Sequence, residues 1–303
     1  MRYIRYVDPA GAIRVAIEQP GKGTQAQVLF EEANESDLIQ GLSAGFTQSF
    51  RSFAADPELL ELGGALRLLP PIASPEVWCA GVTYERSRNA RVGESNSKDV
   101  YERVYDAHRP ELFLKDAGGR RTVGPGDPIG IRGDATWTVP EPEIGLVLGE
   151  RGAIIGYTIG NDVSSRDIEG ANPLYLPQAK VYKAACAIGP AVYVEKNRKQ
   201  PFTVYMQISD AAGTELFSGK TSTEKMKRGF EELVEWLCRD NPVPPGSVLL
   251  TGTGLVPPDD FTLAPGHIVE IHVPEIGTLS NPVLFANEIE LREKYGDRYM
   301  HHM

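Results

Sequence analysis

The segment Pro140-Glu141-Pro142-Glu143 restricts what this chain can fold into more than any other stretch of its sequence. Each proline holds φ at about −65° and has no N–H to donate, so the segment cannot lie inside a helix. In an extended chain, side chains two residues apart point to the same face. Glu141 and Glu143 therefore project together, and the apolar run that follows at 144–148 is typical of a buried strand. The pattern predicts two carboxylates side by side at the start of a core strand.

Such a carboxylate pair is tolerated when a cation, a proton or an arginine lies between the two groups. A third acid, Asp162, follows another apolar run at 154–159. Three carboxylates with no cysteine or histidine nearby favour a hard divalent ion, Mg²⁺ or Mn²⁺, over Zn²⁺. The alternative interpretation is a surface salt-bridge cluster of these acids with Arg166.

The composition excludes several classes of partner. A net charge of −10 over 303 residues argues against a general affinity for nucleic acid or for anionic membranes. No apolar run approaches the roughly 20 residues of a membrane span. Cys79, Cys186 and Cys238 are odd in number, far apart and set among apolar neighbours, so we expect buried reduced thiols and a cytoplasmic location. The predicted protein is globular and binds neither nucleic acid nor membrane.

The order of sequence patterns predicts a small N-terminal α+β domain, residues 1–70, followed by a larger domain, residues 71–303. A helix that begins at Ser36 belongs to the first domain. The second contains short β-rich runs separated by glycine and proline, with helices at 97–108 and 223–239. Helices do not alternate regularly with strands, which argues against a doubly wound α/β sheet. We therefore predict a mixed α+β fold, mainly β, with a barrel-like larger domain.

Six motifs, in matching order and spacing, resemble those of the fumarylacetoacetate hydrolase superfamily and cover most of residues 75–285. The motifs are Ala80-Gly-Val-Thr-Tyr84, Arg109-Pro-Glu-Leu-Phe-Leu-Lys115, Val123-Gly-Pro-Gly-Asp-Pro-Ile129, Pro140-Glu-Pro-Glu143, Asn161-Asp-Val-Ser-Ser-Arg-Asp167 and Leu250-Thr-Gly-Thr-Gly254. The resemblance implies a mixed β-roll catalytic domain preceded by a small N-terminal domain. It also implies Mg²⁺, with Mn²⁺ or Ca²⁺ as alternatives, bound by the residues matching Glu141, Glu143 and Asp162.

Within that superfamily, three further stretches resemble the dehydratases of 2-keto-3-deoxy-D-arabinonate, which is equivalently 2-keto-3-deoxy-D-xylonate. They are Pro75–Trp78, Tyr101–Glu111 and Asn172–Tyr182. This narrower resemblance implies a magnesium-dependent lyase that converts the 2-keto acid to 2,5-dioxopentanoate (α-ketoglutarate semialdehyde) through a metal-stabilised enolate. We expect such an enzyme to be a homodimer or homotetramer.

The resemblance also implies roles for individual side chains. Lys180 matches the active-site lysine of the family, and Glu111 matches an acid that faces the substrate in the dehydratase branch. We expect the proton transfers to involve Lys180, Glu111 and Glu85, and the substrate to contact Thr83, Arg166 and Thr253.

Simpler interpretations of these residues stay open. Lys180 would then only pair with the acids, and Glu85 would be a solvated side chain. Arg166 would be a structural partner of Asp167 or Asp162, and Lys115 is interpreted as structural as well.

One departure from the family pattern bears on the reaction. Hydrolases of the superfamily carry a water-activating histidine a few residues after the tyrosine that matches Tyr84. Here that stretch reads Glu85-Arg-Ser-Arg88, and the first histidine of the chain is His108. The missing base favours dehydration, which needs no external water. Two alternatives stay open: a C–C hydrolase or a decarboxylase of acylpyruvates in the same superfamily, and a non-catalytic binding protein stabilised by metal.

Overall fold

The computed structural model describes residues 1–8, 11–18, 25–31, 39, 59–61, 67–85, 103–195, 198 and 200–290. The predicted helix that begins at Ser36 and the first part of the helix at 97–108 lie outside these residues, while residues 103–106 are helical. No helix in the described ranges is both long and apolar enough to span a membrane.

Strands account for most of the regular structure. In chain order they are β1 Arg2–Val7, β2 Ile13–Glu18, β3 Gln25–Glu31, β4 Leu59–Glu61, β5 Arg67–Leu68, β6 Glu76–Gly81, β7 Glu111–Ala117, β8 Thr122–Val123, β9 Ile129–Ile131, β10 Thr138–Val139, β11 Pro142–Leu148, β12 Ile154–Asp162, β13 Ser164–Ser165, β14 Cys186–Tyr193, β15 Thr203–Ser209, β16 Glu215–Ser222, β17 Val248–Leu250, β18 Ile268–Val273 and β19 Gly277–Phe285. The α-helices are α1 Arg166–Ala171, α2 Leu176–Lys180 and α3 Phe230–Cys238. Short 3-10 turns occupy Glu150–Gly152, Pro173–Tyr175 and Thr223–Lys225.

Two mixed sheets enclose the main core. The larger has the order β4-β3-β2-β1-β14-β12-β11-β17-β6-β7, with β5 beside β1 and β8 beside β14, and the smaller has the order β16-β15-β18-β19-β9. Apolar side chains of β11 and β12, such as Ile144 and Ile159, share one buried cluster with Met206, Ile271 and Leu279 of the smaller sheet. Helices cover this β-roll instead of alternating with its strands. The prediction of a mainly β, mixed α+β fold is confirmed.

The Pro-Glu-Pro-Glu segment leads into β11 as its proline pattern predicts. All seven residues of β11 are buried, because Ile144, Leu146 and Leu148 pack in one apolar cluster and Val147 packs in another. In the antiparallel register with β12, Glu143 lies opposite Gly160. The Asp162 amide donates to the Glu141 carbonyl oxygen at 3.0 Å, which brings the third acid beside the first two.

The N-terminal strands continue the larger sheet. Arg2 and Tyr3 of β1 pair with Tyr193 and Val192 of β14. Tyr3 also packs in the same apolar cluster as Cys79. The division of the chain into two domains at residue 70 stays a prediction.

The prediction of one continuous helix over 223–239 is wrong. The Ser222 side chain accepts from the Glu224 amide and caps a single 3-10 turn. Met226 is then extended and forms a β-bridge with Tyr84, and the helix α3 begins only after Gly229. The tertiary contact with Tyr84 outweighs the helical periodicity of the local sequence.

The buried carboxylate of Asp116 joins β7 to β8, so we expect its removal to destabilise the fold strongly. Asp116 is buried, and its Oδ2 accepts from the Arg121 amide at 3.0 Å, the Thr122 amide at 2.9 Å and the Thr122 hydroxyl at 2.7 Å. Asp116→Ala would leave these donors without their acceptor, so we expect the free energy of unfolding to fall by about 2–4 kcal/mol. Denaturant titration measures this. Asp134→Ala is the control, since Asp134 is exposed and pairs with Arg132; equal losses in both variants would contradict the prediction.

Candidate active site

Three buried carboxylates meet at the mouth of β11. One carboxylate oxygen each from Glu141, Glu143 and Asp162 lies within 4.8 Å of the other two. The first two acids come from the start of β11 and the third from the end of β12, so the antiparallel pairing of these strands brings the three together. The grouping predicted from the sequence is therefore present in the structure.

The donor set and charge of this cluster fit a hard divalent ion. Burial raises the pKa of Glu143 well above its usual range, and the neighbouring Asp162 and Glu141 raise it further. Buried carboxylates that repel one another in this way are stabilised by a cation, and carboxylate oxygens are the ligands that Mg²⁺ prefers. Asp162 Oδ1 is buried and, among the described residues, accepts no hydrogen bond of normal geometry, although the Lys115 ammonium lies against it.

A small cavity opens onto the cluster. Its lining is formed by Ala80, Gly81, Val82, Glu111, Phe113, Glu141, Glu143, Asp162, Glu169, Lys180, Gly252 and Thr253. Five of these residues are acids, and within the described ranges Lys115, Lys180 and Arg166 pair with Asp162 and Glu141.

Lys180 reaches the cluster from the last residue of α2. Its ammonium donates to Glu141 Oε2 at 2.9 Å, to Asp162 Oδ2 at 2.8 Å and to Ser164 Oγ at 2.5 Å. The side chain is buried, and Nζ lies 5.6 Å from the centre of the Phe113 ring. This lysine is thus held at the edge of the acid cluster, where a proton can be exchanged with a ligand in the cavity.

Arg166 pairs with a member of the cluster. Its Nη2 donates to Glu141 Oε1 at 2.9 Å, so the two oxygens of that carboxylate are held by Arg166 and Lys180 respectively. Asp167, one of the partners expected for Arg166, accepts instead from the amide and hydroxyl of Thr136. This geometry favours a structural role for Arg166, and its contact with substrate stays a prediction.

Glu111 and Thr253 both line the cavity, as expected from the sequence. Glu111 begins β7 and stands directly opposite Gly81 of β6. The Thr253 hydroxyl donates to the Leu255 carbonyl at 3.0 Å, which shapes the loop after β17. In the same loop, the Gly252 amide donates to Glu143 Oε2 at 2.6 Å.

Three of the predicted site residues are absent from the cavity lining: Arg166, described above, Thr83 and Glu85. Thr83 is buried, and its hydroxyl donates to the Thr251 carbonyl at 2.7 Å, so it supports the loop after β17. Glu85 is exposed and precedes residues 86–102, which are outside the described ranges. Their roles in substrate binding and proton transfer stay predictions.

Sequence reasoning missed two side chains at the site. Glu169 is buried on α1 and lines the cavity, and Ser164 contacts Lys180 directly. The three-residue spacing between Arg166 and Glu169 is the signal that could have found the acid, because residues three apart share a helix face. Lys115, interpreted only as structural, is also buried against Asp162 and donates to the Val163 carbonyl.

Comparison with known proteins agrees with this geometry. The family model described as “Fumarylacetoacetate (FAA) hydrolase C-terminal” matches residues 76–284, more than half of the chain. The chain belongs to the fumarylacetoacetate hydrolase family. Within this family, the “Probable 2-keto-3-deoxyxylonate dehydratase” of Haloferax volcanii is 52% identical over 214 residues, which are 70% of this chain and 73% of the relative.

A second relative and a solved structure carry similar names. The “2-dehydro-3-deoxy-D-arabinonate dehydratase” of Saccharolobus solfataricus is 46% identical over 224 residues, 72% of this chain and 74% of the relative. A solved structure of “2-keto-3-deoxy-D-arabinonate dehydratase complexed with magnesium and 2,5-dioxopentanoate” is 36% identical, with a TM-score of 0.78. The similarity covers 93% of this chain and 98% of that one.

Because the Gly252 amide donates to Glu143, we expect this glycine to support metal binding. Gly252 has φ +89, and a Cβ there would lie 2.9 Å from the Ala80 carbonyl oxygen and would collide with the Thr83 hydroxyl. We therefore expect Gly252→Ala to move the loop, withdraw the amide from Glu143 and weaken Mg²⁺ binding by about 10–100-fold. Isothermal titration calorimetry measures the affinity.

Gly126→Ala is the matched control for this experiment. Gly126 has φ +75, so alanine is similarly strained, but a Cβ there meets nothing within 4 Å. Mg²⁺ affinity should be unchanged in the control. The same loss of affinity in both variants would show that the effect is general instability.

Proposed function

We propose that this protein is a magnesium-dependent dehydratase that removes water from 2-keto-3-deoxy-D-arabinonate, equivalently the D-xylonate derivative, to give 2,5-dioxopentanoate. The observation that carries the proposal is that Lys180, Glu111 and the three clustered acids line one cavity. The relatives and the solved structure named above bear the same activity in their names. Their similarity extends over most of this chain.

The cluster formed by Glu141, Glu143 and Asp162 holds the ion in this proposal. A divalent ion supplies Lewis acidity that polarises the C2 carbonyl of a 2-keto acid and makes its C3 protons easier to remove. Arg166 and the Gly252 amide orient Glu141 and Glu143 through the hydrogen bonds described above. The carboxylate and the keto oxygen of the substrate are thereby directed toward one end of the cavity.

Two side chains share the proton transfers. Lys180 Nζ, as the neutral amine, takes the proton from C3 and becomes the ammonium, since it lies against Glu141 and Asp162, where the carbonyl end of the substrate is held. Glu111 donates a proton to the departing C4 hydroxyl from the side of β6 and β7. One water leaves, and after isomerisation of the resulting double bond the product is the 5-aldehyde.

The sequence around Tyr84 favours dehydration over hydrolysis. The water-activating histidine of the family's hydrolases has no counterpart in Glu85-Arg-Ser-Arg88. Ala80, Val82 and Phe113 contribute apolar surface to the cavity wall, which limits the access of bulk water to the reacting carbons. Dehydration proceeds under these conditions because no water molecule has to be activated.

A substrate screen with Mg²⁺ tests the proposed function. The purified protein should convert 2-keto-3-deoxy-D-arabinonate to 2,5-dioxopentanoate, detected with a coupled semialdehyde dehydrogenase, and in D₂O the product should contain deuterium at C3. Acetylpyruvate should stay intact. Pyruvate and glycolaldehyde from the pentonate would indicate aldolase-type cleavage, and pyruvate and acetate from acetylpyruvate would indicate the hydrolase alternative.

The proposal includes a cytoplasmic homodimer or homotetramer. The cytoplasmic location is supported by Cys79 and Cys186, which are buried free thiols, the form that a reducing environment favours. Light scattering coupled to size-exclusion chromatography measures the molar mass of the assembly and distinguishes the two oligomers from a monomer.

A further inference from the structure

We propose that Gly81 is a positioning residue for Glu111, whose carboxylate reaches the cavity only because residue 81 has no side chain. This inference rests on the proposed function for the role of Glu111. Gly81 and Glu111 are direct cross-strand neighbours at the ends of β6 and β7 that border the cavity. A glycine within a strand often marks a place where another group approaches the backbone closely.

The space above Gly81 is filled by the Glu111 side chain. A Cβ added to Gly81 would lie 2.5 Å from Glu111 Cδ and 3.1 Å from its Cγ, and would overlap its Oε2. The carboxyl group therefore rests on the backbone of β6, folded across the strand. Any side chain at residue 81 would occupy the same volume.

The backbone of β6 is not free to move away from this contact. Cys79 pairs with Leu250 of β17 on one side, and Leu112 of β7 pairs with Ala80 on the other. The loop after β17 also packs closely on the Ala80 carbonyl, since a Cβ on Gly252 would lie 2.9 Å from that oxygen. A collision at residue 81 is consequently relieved by rotation of the Glu111 side chain, whose carboxylate is then displaced from its position in the cavity.

Substitution of Gly81 tests this idea cleanly because its φ lies outside the left-handed region. Alanine can adopt the same backbone, so the close approach of Glu111 is the obstacle. The glycine thus acts through its neighbour and has no chemistry of its own. Replacement of Gly81 should therefore have no further effect on kcat when the Glu111 side chain is removed.

The experiment is a double-mutant cycle with Gly81→Ala, Glu111→Ala and the double variant, each as the full chain with Mg²⁺. Gly81→Ala should lower kcat for the pentonate by about 100-fold, the scale of lost acid–base assistance, with Mg²⁺ affinity unchanged within about threefold. In the Glu111→Ala background, Gly81→Ala should lower kcat no further. Gly133→Ala is the matched control, since Gly133 has an ordinary φ and a Cβ there meets nothing within 4 Å.

Melting temperatures supply a second measurement that does not depend on turnover. Gly81→Ala should lower the melting temperature of the wild type by about 2–4 °C and should leave it equal or higher in the Glu111→Ala background, where the space is free. Wild-type kcat in Gly81→Ala, or the same loss of kcat and melting temperature in both backgrounds, would overturn the inference. A wild-type protein that does not dehydrate the pentonate would instead overturn the proposed function, and the melting temperatures would still decide the positioning.

Discussion

Replacement of Lys180 by methionine should reduce kcat by about 10²–10⁴-fold while Mg²⁺ still binds. The ammonium donates to Glu141, Asp162 and Ser164, and no other lysine lines the described cavity. Methionine keeps nearly the length of the lysine side chain but cannot carry a proton. Single-turnover kinetics on the pentonate measure the effect, and calorimetry with Mg²⁺ measures the affinity.

Lys183→Met is the control for this experiment. Lys183 follows Lys180 by three residues, is exposed and donates to the Ile289 carbonyl at 3.2 Å. Its replacement should leave kcat within about twofold of the wild type. A Lys180→Met enzyme with near-normal kcat would remove Lys180 from the proton transfers, and loss of both turnover and Mg²⁺ binding would assign it to the metal site.

Replacement of Glu143 by glutamine should weaken Mg²⁺ binding by more than about 100-fold, beyond the 10–100-fold typical of groups that only support a ligand. Burial and the neighbouring Asp162 and Glu141 raise the pKa of Glu143, so a bound cation stabilises its charged form. Glutamine retains an oxygen that can accept from the Gly252 amide, which preserves the loop. The substitution therefore removes charge with little change in shape.

Metal titration into wild type, Glu143→Gln and Glu150→Gln separates a specific effect from a general change in charge. Glu150 is exposed and lies in the turn between β11 and β12. Its variant should bind Mg²⁺ like the wild type, and activity lost on chelation should return when Mg²⁺ is added back. Equal affinity in Glu143→Gln and wild type would exclude Glu143 as a ligand.

The sequence contained enough local information to group the acids of the candidate site. Alternation along an extended chain placed Glu141 and Glu143 on one face, and the apolar run that precedes Asp162 placed this acid at the end of a neighbouring strand. The mainly β fold followed from the irregular order of helices and strands, together with the family resemblance. The grouping of the acids needed only spacing and residue type over short windows.

Contacts between distant segments account for what could not be predicted. The Thr83 hydroxyl is directed to the Thr251 carbonyl, 168 residues away in the sequence. The bridge between Met226 and Tyr84 interrupts a segment whose own periodicity is helical. Glu169 was missed because its importance depends on where α1 packs relative to β11. The contacts of Thr83 and Met226 leave no trace in the spacing of nearby residues, and the spacing of Glu169 from Arg166 shows only that the two share a helix face.

The pairing of β1 with β14 has a consequence for any attempt to shorten the chain. β14 lies between β1 and β12, and β12 carries Asp162. A fragment that starts where the family match begins, at residue 76, would leave the edge of β14 at Val192 and Tyr193 without a partner strand and would uncover the apolar surface that Tyr3 protects. Bare strand edges of this kind recruit other chains and aggregate. The N-terminal strands therefore protect the larger sheet, which carries the candidate active site, from aggregation. A shortened variant of this protein has to retain them.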